Sequence, residues 1–149
     1  MKTVIPKLIK LTLSLPIIFV SCSKEDKTLE RNTTLLIEKR WVFEKYGLDE
    51  NNNGQIEEIE NNMLACEADD TYSFFANGSG FYDGGSVPCS MGETPIINFN
   101  WRFENNCTEL AVFAAPEKIS QLDESILEVY YTDVNSQGEH VKYIRRFKH

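Results

Sequence analysis

The sequence predicts an all-β domain, an antiparallel up-and-down barrel of about eight strands with one or two short helices. Three observations carry that prediction. From Ile97 to Glu104, apolar Ile97, Phe99, Trp101 and Phe103 alternate strictly with Asn98, Asn100, Arg102 and Glu104, which puts one face in a core and the other in water. Turn residues recur at short intervals after Asp70: Asn77-Gly78, Asn105-Asn106, Asp123-Glu124-Ser125 and Asn135 to Gly138. No long helical period follows that could cover an open sheet, so closing the strands on themselves is the economical way to remove exposed edges. A two-sheet sandwich is the alternative consistent with the same pattern.

Thr34 to Arg40 suits a short helix that turns Leu35 and Leu36 toward the core. Trp41 to Tyr46 reads as the first strand, ended by Gly47. Ile56 to Ala65 has helical spacing, with Ile56, Ile59 and Met63 on one face, and is expected to form a second short helix. Thr71 to Ala76 and Gly80 to Asp83 make a hairpin around Asn77-Gly78, and a loop with Gly84, Gly85, Pro88 and Cys89 leads into the alternating strand. Leu110 to Ala114, Lys118 to Leu122, Ile126 to Thr132 and His140 to Phe147 complete the set.

The first 21 residues read as a leader. Lys2, Lys7 and Lys10 precede an apolar run from Leu11 to Val20, which is too short to span a bilayer. The run ends in Phe19-Val20-Ser21-Cys22, which resembles the lipobox of bacterial lipoproteins, with Cys22 as the lipidated residue. An ordinary secretory signal with an incidental Cys is the alternative. Ser23-Lys24-Glu25-Asp26 resembles the surface-export signal of Bacteroidota-type lipoproteins, so the expected location is the outer membrane, on the cell surface in preference to the periplasmic face. Residues 22–33 are then the lipidated Cys and a polar tether, and residues 34–149 the barrel domain.

Loss of the leader takes the formal net charge from −8 to −11. So acidic a surface repels phosphate backbones, and nucleic acid is excluded as a partner. An exported chain permits disulfides. Cys66 and Cys89 flank the first hairpin and form the expected pair, leaving Cys107; spacing alone leaves the other two pairings open.

One stretch spells out a site chemistry. Asp49 to Glu60 matches a twelve-residue calcium loop position by position. Asp49, Asn51 and Asn53 stand at positions 1, 3 and 5, Gly54 at the sharp turn, and Gln55 at the position that offers its carbonyl. Glu57 stands at position 9, and Glu60 closes the site as a bidentate carboxylate. Nine acidic side chains between Glu44 and Asp70 would be relieved by a cation. With two Asn among the ligands, the expected Ca2+ affinity is that of an extracellular module, on the order of 0.1 to 1 mM. Asn-Asn-Asn-Gly is equally ordinary turn chemistry.

The chain resembles the lipocalin-like domain of small Bacteroidota lipoproteins over residues 35–148. The resemblance rests on Trp41 opening the first strand, Tyr72 and Phe74 before Asn77-Gly78, Cys89, Phe99 and Trp101, a hairpin with Leu122, Ile126 and Leu127, and a basic last strand. It implies a calyx, and stacking of Trp41 on Arg145 or Arg146, although Lys39 stands where a Gly is usual. Trp41, Phe43, Phe74, Phe99, Trp101, Phe103, Val129 and Tyr143 are the candidate interior. A non-catalytic binding or interaction module follows, for a small apolar ligand or a protein partner; the alternative is an accessory lipoprotein with a calcium-stabilised loop. Neither G-x-S-x-G nor H-E-x-x-H occurs, and neither His140 nor His149 has a catalytic neighbour in sequence, so no enzyme is expected.

Overall fold

A computed structural model describes residues 24–91 and 95–149. The predicted leader and its lipidation site Cys22 lie outside the described residues. The chain closes into an antiparallel eight-stranded barrel in which each strand pairs with its sequence neighbours and the last returns to the first. The strands are β1 (Trp41–Leu48), β2 (Thr71–Phe74), β3 (Ser79–Asp83), β4 (Ile96–Glu104), β5 (Glu109–Val112), β6 (Ala115–Leu122), β7 (Ile126–Val134) and β8 (His140–Lys148). Closure excludes the sandwich.

Register fixes which side chains face inward. Phe74 opposes Gly80, which opposes Phe99. A Cβ on Gly80 would collide with the Phe99 ring and the Ser73 carbonyl, so a glycine is what admits that ring across the barrel. Two bulges reset the alternation. One, at Glu44, lets Phe43 and Tyr46 both point inward although they are three residues apart; the other, at Ser120, does the same for Ile119 and Leu122. The outward positions of β4 are polar: Asn98 and Asn100 are exposed, and Arg102 pairs with Glu104.

The helix differs from expectation. It is α1 (Lys24–Glu38), and it occupies most of the segment read as a tether. That segment is polar, yet it holds no Gly or Pro, and good helix formers with acid in the first turn suffice once one face is anchored. Leu36 provides the anchor, fully buried in the core, while Leu35 is half-buried. Trp41 donates its indole N–H to the Leu36 carbonyl at 2.9 Å, locking the helix end to the start of β1.

The second expected helix is absent. Ile56 is buried, but Ile59 is 91% exposed and Leu64 half-exposed, so the helical spacing matched no common face. Only a single 3-10 turn forms, at Ala65–Glu67. Trp41 stacks on neither arginine. Its ring lies against His149 with centroids 3.7 Å apart, because Arg145 points into the barrel and Arg146 outward to Glu44 and Glu128.

Cys66 and Cys89 are bonded, tying the β1–β2 loop to the β3–β4 loop; Cys107 is free and half-buried. The bond closes a segment with a sequence separation of 23 residues. Replacing both cysteines with Ser is therefore expected to lower the unfolding free energy by about 3 kcal/mol. Urea denaturation measures this, and a loss under about 1 kcal/mol would mean the loops hold each other without the bond.

Candidate functional site

The two ends of the barrel differ. At the end where β1 begins, Trp41, Phe74, Phe99, Trp101, Leu110, Leu127, Val129 and Phe147 pack into one buried cluster with Leu36 of α1. Phe43 and Phe103 are partly buried against it. Trp101 donates its indole N–H to the carbonyls of Phe75 and Ser79, so even the polar atom of this plug is satisfied. What space remains, about 20 Å³, is room for a single water. This half of the barrel is solid.

The opposite half is hollow. A cavity of about 380 Å³ opens to solvent there, within the range of small-molecule sites. Its walls carry Phe43 and Tyr46 from β1, Tyr72 from β2, Tyr82 from β3, Tyr131 from β7 and Ile97 from β4. Tyr143, predicted to be interior, is half-buried and stacks on Tyr131 with centroids 5.1 Å apart. Of the residues expected in the interior, Phe43 lines this cavity and Tyr143 packs beside its Tyr46 and Tyr131, on the face of β8 that carries Arg145 and Phe147; the others belong to the plug. Tyr46, Tyr72, Tyr82 and Tyr131 are not among the residues expected in the interior, because the lining comes from seven strands and a bulge sets Tyr46 off the expected parity.

A partly buried ion pair forms the floor. Arg145 donates Nε–H to Glu117 Oε2 at 3.1 Å and Nη2–H to Glu117 Oε1, a two-point contact. Burial works against the Arg145 charge, but the Glu117 carboxylate outweighs it and holds the guanidinium above its ordinary pKa. Neither residue was singled out in sequence. Glu117 on β6 lies just past a Pro, where no strand was expected. At the rim, Asp70 is buried and accepts a hydrogen bond from the Tyr82 hydroxyl at 2.8 Å, and Glu67 stands beside it.

The β5–β6 turn overhangs the mouth. It consists of Phe113 and Ala114, both left-handed at φ +54° and +68°, a conformation that hairpin turns normally reserve for Asn and Gly. Non-glycine residues pay about 1–2 kcal/mol each for it. The strain presents the Phe113 ring, half-exposed, at the cavity edge and against Phe99, 5.2 Å between centroids.

The acidic loop lies outside the barrel, over the β1–β8 seam. Its ends are tied by a bridge between Gly47 and Asn61 and by the Asn62 N–H to the Tyr46 carbonyl, 2.7 Å. Gly47 is required because any Cβ there would strike the Glu60 carbonyl. Asp49 and Glu60 are buried, and their oxygens accept main-chain N–H groups. Asp49 takes those of Asn53 and Gly54, Glu60 those of Glu50 and Glu57, each at 3.0 Å. Asn51 accepts from the Asn53 N–H and Asn53 from the Gln55 N–H, while Glu57 is exposed and takes the Asn53 amide. Gln55 is exposed. Lys142 approaches Asp49 Oδ2 to 3.9 Å. Among the described residues, no group of three or more His, Cys, Asp or Glu side chains is arranged to hold a metal ion.

No protein-family model matches the chain, and no curated protein matches it significantly. Function has to be argued from the site.

Two cavity phenols set the behaviour in alkali. Burial raises the pKa of Tyr72 above its ordinary 10.0, and burial together with the hydrogen bond to Tyr46 raises that of Tyr131 further. The unfolded chain ionises both near 10, whereas the fold keeps them neutral. Their contribution to stability is thus complete below about pH 10 and falls as pH rises through the higher folded values. Denaturant titrations between about pH 8 and 11 should show this fall, and Tyr131→Phe should flatten it. An unchanged slope in the variant would mean that the phenol does not titrate on unfolding.

Proposed function

We propose that the protein is a non-catalytic, membrane-anchored, extracytoplasmic binding module of lipocalin-like type that holds a small molecule in the open half of its barrel. The observation that carries the reading is the division of the interior: one end packed solid, the other hollow, with a strained aromatic turn at the mouth. A fold that only had to be stable would fill both halves, as small barrels do. The lining of phenols and a partly buried ion pair suits an amphipathic molecule with hydrogen-bonding groups better than the wholly apolar ligand expected from the sequence.

Lipidation at Cys22, two residues before the start of α1 at Lys24, would anchor the domain to the outer membrane. The charge of the mature chain favours neither nucleic acid nor an anionic surface as partner.

The test is a native mass spectrum of the full-length protein purified from cells that lipidate and export it. A retained small-molecule mass that disappears in Ile97→Trp, which fills the mouth, is the expected result. A bare lipoprotein mass for both chains would count against a ligand-holding calyx.

A second reading concerns the acidic loop and rests on the burial of Asp49 and Glu60 beside a single lysine. Both carboxylates keep lone pairs beyond those given to main-chain N–H groups. Together with Asn51, Asn53, Glu57 and the Gln55 carbonyl they supply the oxygen chemistry that calcium requires. Calcium here would act as a clip that stabilises the loop. Millimolar Ca2+ is expected to raise the melting temperature and EDTA to reverse it, since binding to the folded state alone shifts the equilibrium. No shift at several millimolar would leave the loop as a self-sufficient hydrogen-bonded knot.

A further inference from the structure

We infer that the free edge of β4 takes an added strand: an extended, basic polypeptide segment that pairs with Ile96 to Asn100 and closes a notch in the barrel wall. The inference goes beyond the small-molecule reading, because it concerns the wall and not the contents of the chamber. Strand register, edge composition and charge lead to it.

The strands that separate β4 from β7 are short. β5 pairs with β4 from Trp101 to Glu104, and the β5–β6 turn then ends the hairpin. Ile96 to Asn100 therefore have β3 on one side and no strand on the other. β6 and β7 separate likewise. Their pairing stops at Lys118 opposite Tyr130, short of Pro116, which has no N–H to give, and Tyr131 to Val134 continue with β8 alone. A notch two strands wide is left between β4 and β7, with Phe113 and Ala114 at its base. It opens into the chamber, whose lining includes Ile97, Phe113, Glu117 and Tyr131.

β1 outruns β2 in the same way, and there the chain fills the gap itself. Asn61 bridges to Gly47, and the Asn61 side chain accepts the Tyr46 N–H at 3.3 Å. Among the described residues, nothing does this for β4. Trp101 sends its N–H to the Gly78 carbonyl on the β3 side, at 2.8 Å. Alternation along the strand then turns the main-chain groups of Asn98 and Asn100 to the open side, where no described residue pairs with them.

Bare edges are normally protected by a lysine, a proline or a bulge. Ile96-Ile97-Asn98-Phe99-Asn100 has none of these and keeps unbroken register with β3. Ile96 and Ile97 stand exposed on it. Such an edge is a template for another strand, whose main-chain groups give affinity and whose alternate side chains give selectivity. Side chains opposite Ile97 and Phe99 would turn toward the chamber and favour apolar residues, while those opposite Asn98 and Asn100 would face water. Charge selects among partners. The chain carries 23 acidic side chains against 15 lysines and arginines, and the one charge on the free stretch of β7 is Asp133. A second copy of so acidic a chain is repelled at long range, and a basic segment is attracted.

The test is nuclear magnetic resonance on the full chain, with a basic octapeptide in which lysine alternates with valine as the probe. In the free protein the Asn98 and Asn100 amides are expected to exchange with solvent much faster than those of Ile97 and Phe99, and the peptide should slow them selectively. When the valines face the chamber, the main-chain N–H groups of the lysines face β4. Methylating those nitrogens keeps every side chain and charge and should weaken binding at least about tenfold, whereas methylating the valine nitrogens should matter far less. Asn98→Pro removes an N–H that bonds nothing within the fold, so it should keep the melting temperature and abolish binding. Equal binding of the lysine-methylated peptide would reveal attraction by charge alone and overturn the inference. So would a failure of the unmodified peptide to bind, or slow exchange at Asn98 and Asn100 in the free monomer. Protection that appears only as protein concentration rises, with a dimer in sedimentation, would make the occupant a second copy and overturn the basic partner. The retained small-molecule mass tests the chamber separately and is untouched by any of these results.

Discussion

The seam between β1 and β8 is the constraint on which the rest of this molecule depends. An eight-stranded sheet without that pairing is a curled ribbon with two bare edges. The pairing runs from Val42 opposite Lys148 to Leu48 opposite Tyr143, and it is broken once, at Glu44. The extra residue does more than bend the strand. It turns Glu44 outward to meet Arg146 and Lys148, and Arg146 also reaches Glu128 on β7. Burial of Glu44 would raise its pKa, but the hydrogen bonds from Lys148 and Arg146 outweigh burial and lower it, so the carboxylate stays charged where the seam needs it. The pairs are partly exposed, so their stabilisation is modest. Their larger effect is on register: a slip of one residue would send Phe43 and Phe147 into water.

The same bulge explains why the interior is unequal. Below it, β1 contributes Trp41 and Phe43 to a cluster of large side chains that interlock with α1. Above it, the reset parity contributes Tyr46, whose hydroxyl lies 3.4 Å from that of Tyr131, two strands away beyond β8. In the plug, indole and phenyl rings meet edge to face, as Trp101 does with Phe74 and Phe103. The transition from plug to cavity falls at Arg145 and Glu117. A partly buried ion pair is weak evidence for stability, but loss of Arg145 would strand the buried Glu117. The pair makes sense as a polar floor for a polar chamber.

How much of this could be read from the chain follows from how local each signal is. The alternation from Ile97 to Glu104 and the turn residues around it are short-range, and they carried the strands and the barrel. The pairing of Cys66 with Cys89 followed from the hairpin between them. The helix was placed too late because its first turns are polar and its single deep anchor, Leu36, sits near the end. The supposed helix after Ile56 failed for the converse reason: its three apolar residues had the right spacing and no common surface to cover. The chamber was hidden altogether. Its residues are scattered from position 43 to 145, and each is an ordinary strand tyrosine or charge until closure brings them face to face.

The calcium motif and the chamber pose the same electrostatic problem at different scales. In the loop, two buried carboxylates are tolerated because four main-chain N–H groups converge on them, and N–H dipoles do not cancel a charge, they only solvate it. At the mouth, Glu67 accepts the Leu64 N–H and Asp70 the Tyr82 hydroxyl. In the loop, Lys142 stands 3.9 Å from Asp49. A chain that needed only a stable fold would be relieved of this repulsion by any of several Asp→Asn or Glu→Gln exchanges, whose hydrogen-bond geometry is nearly the same on the accepting side. Carboxylates buried in the loop beside a single lysine are what the proposal of a bound cation there rests on.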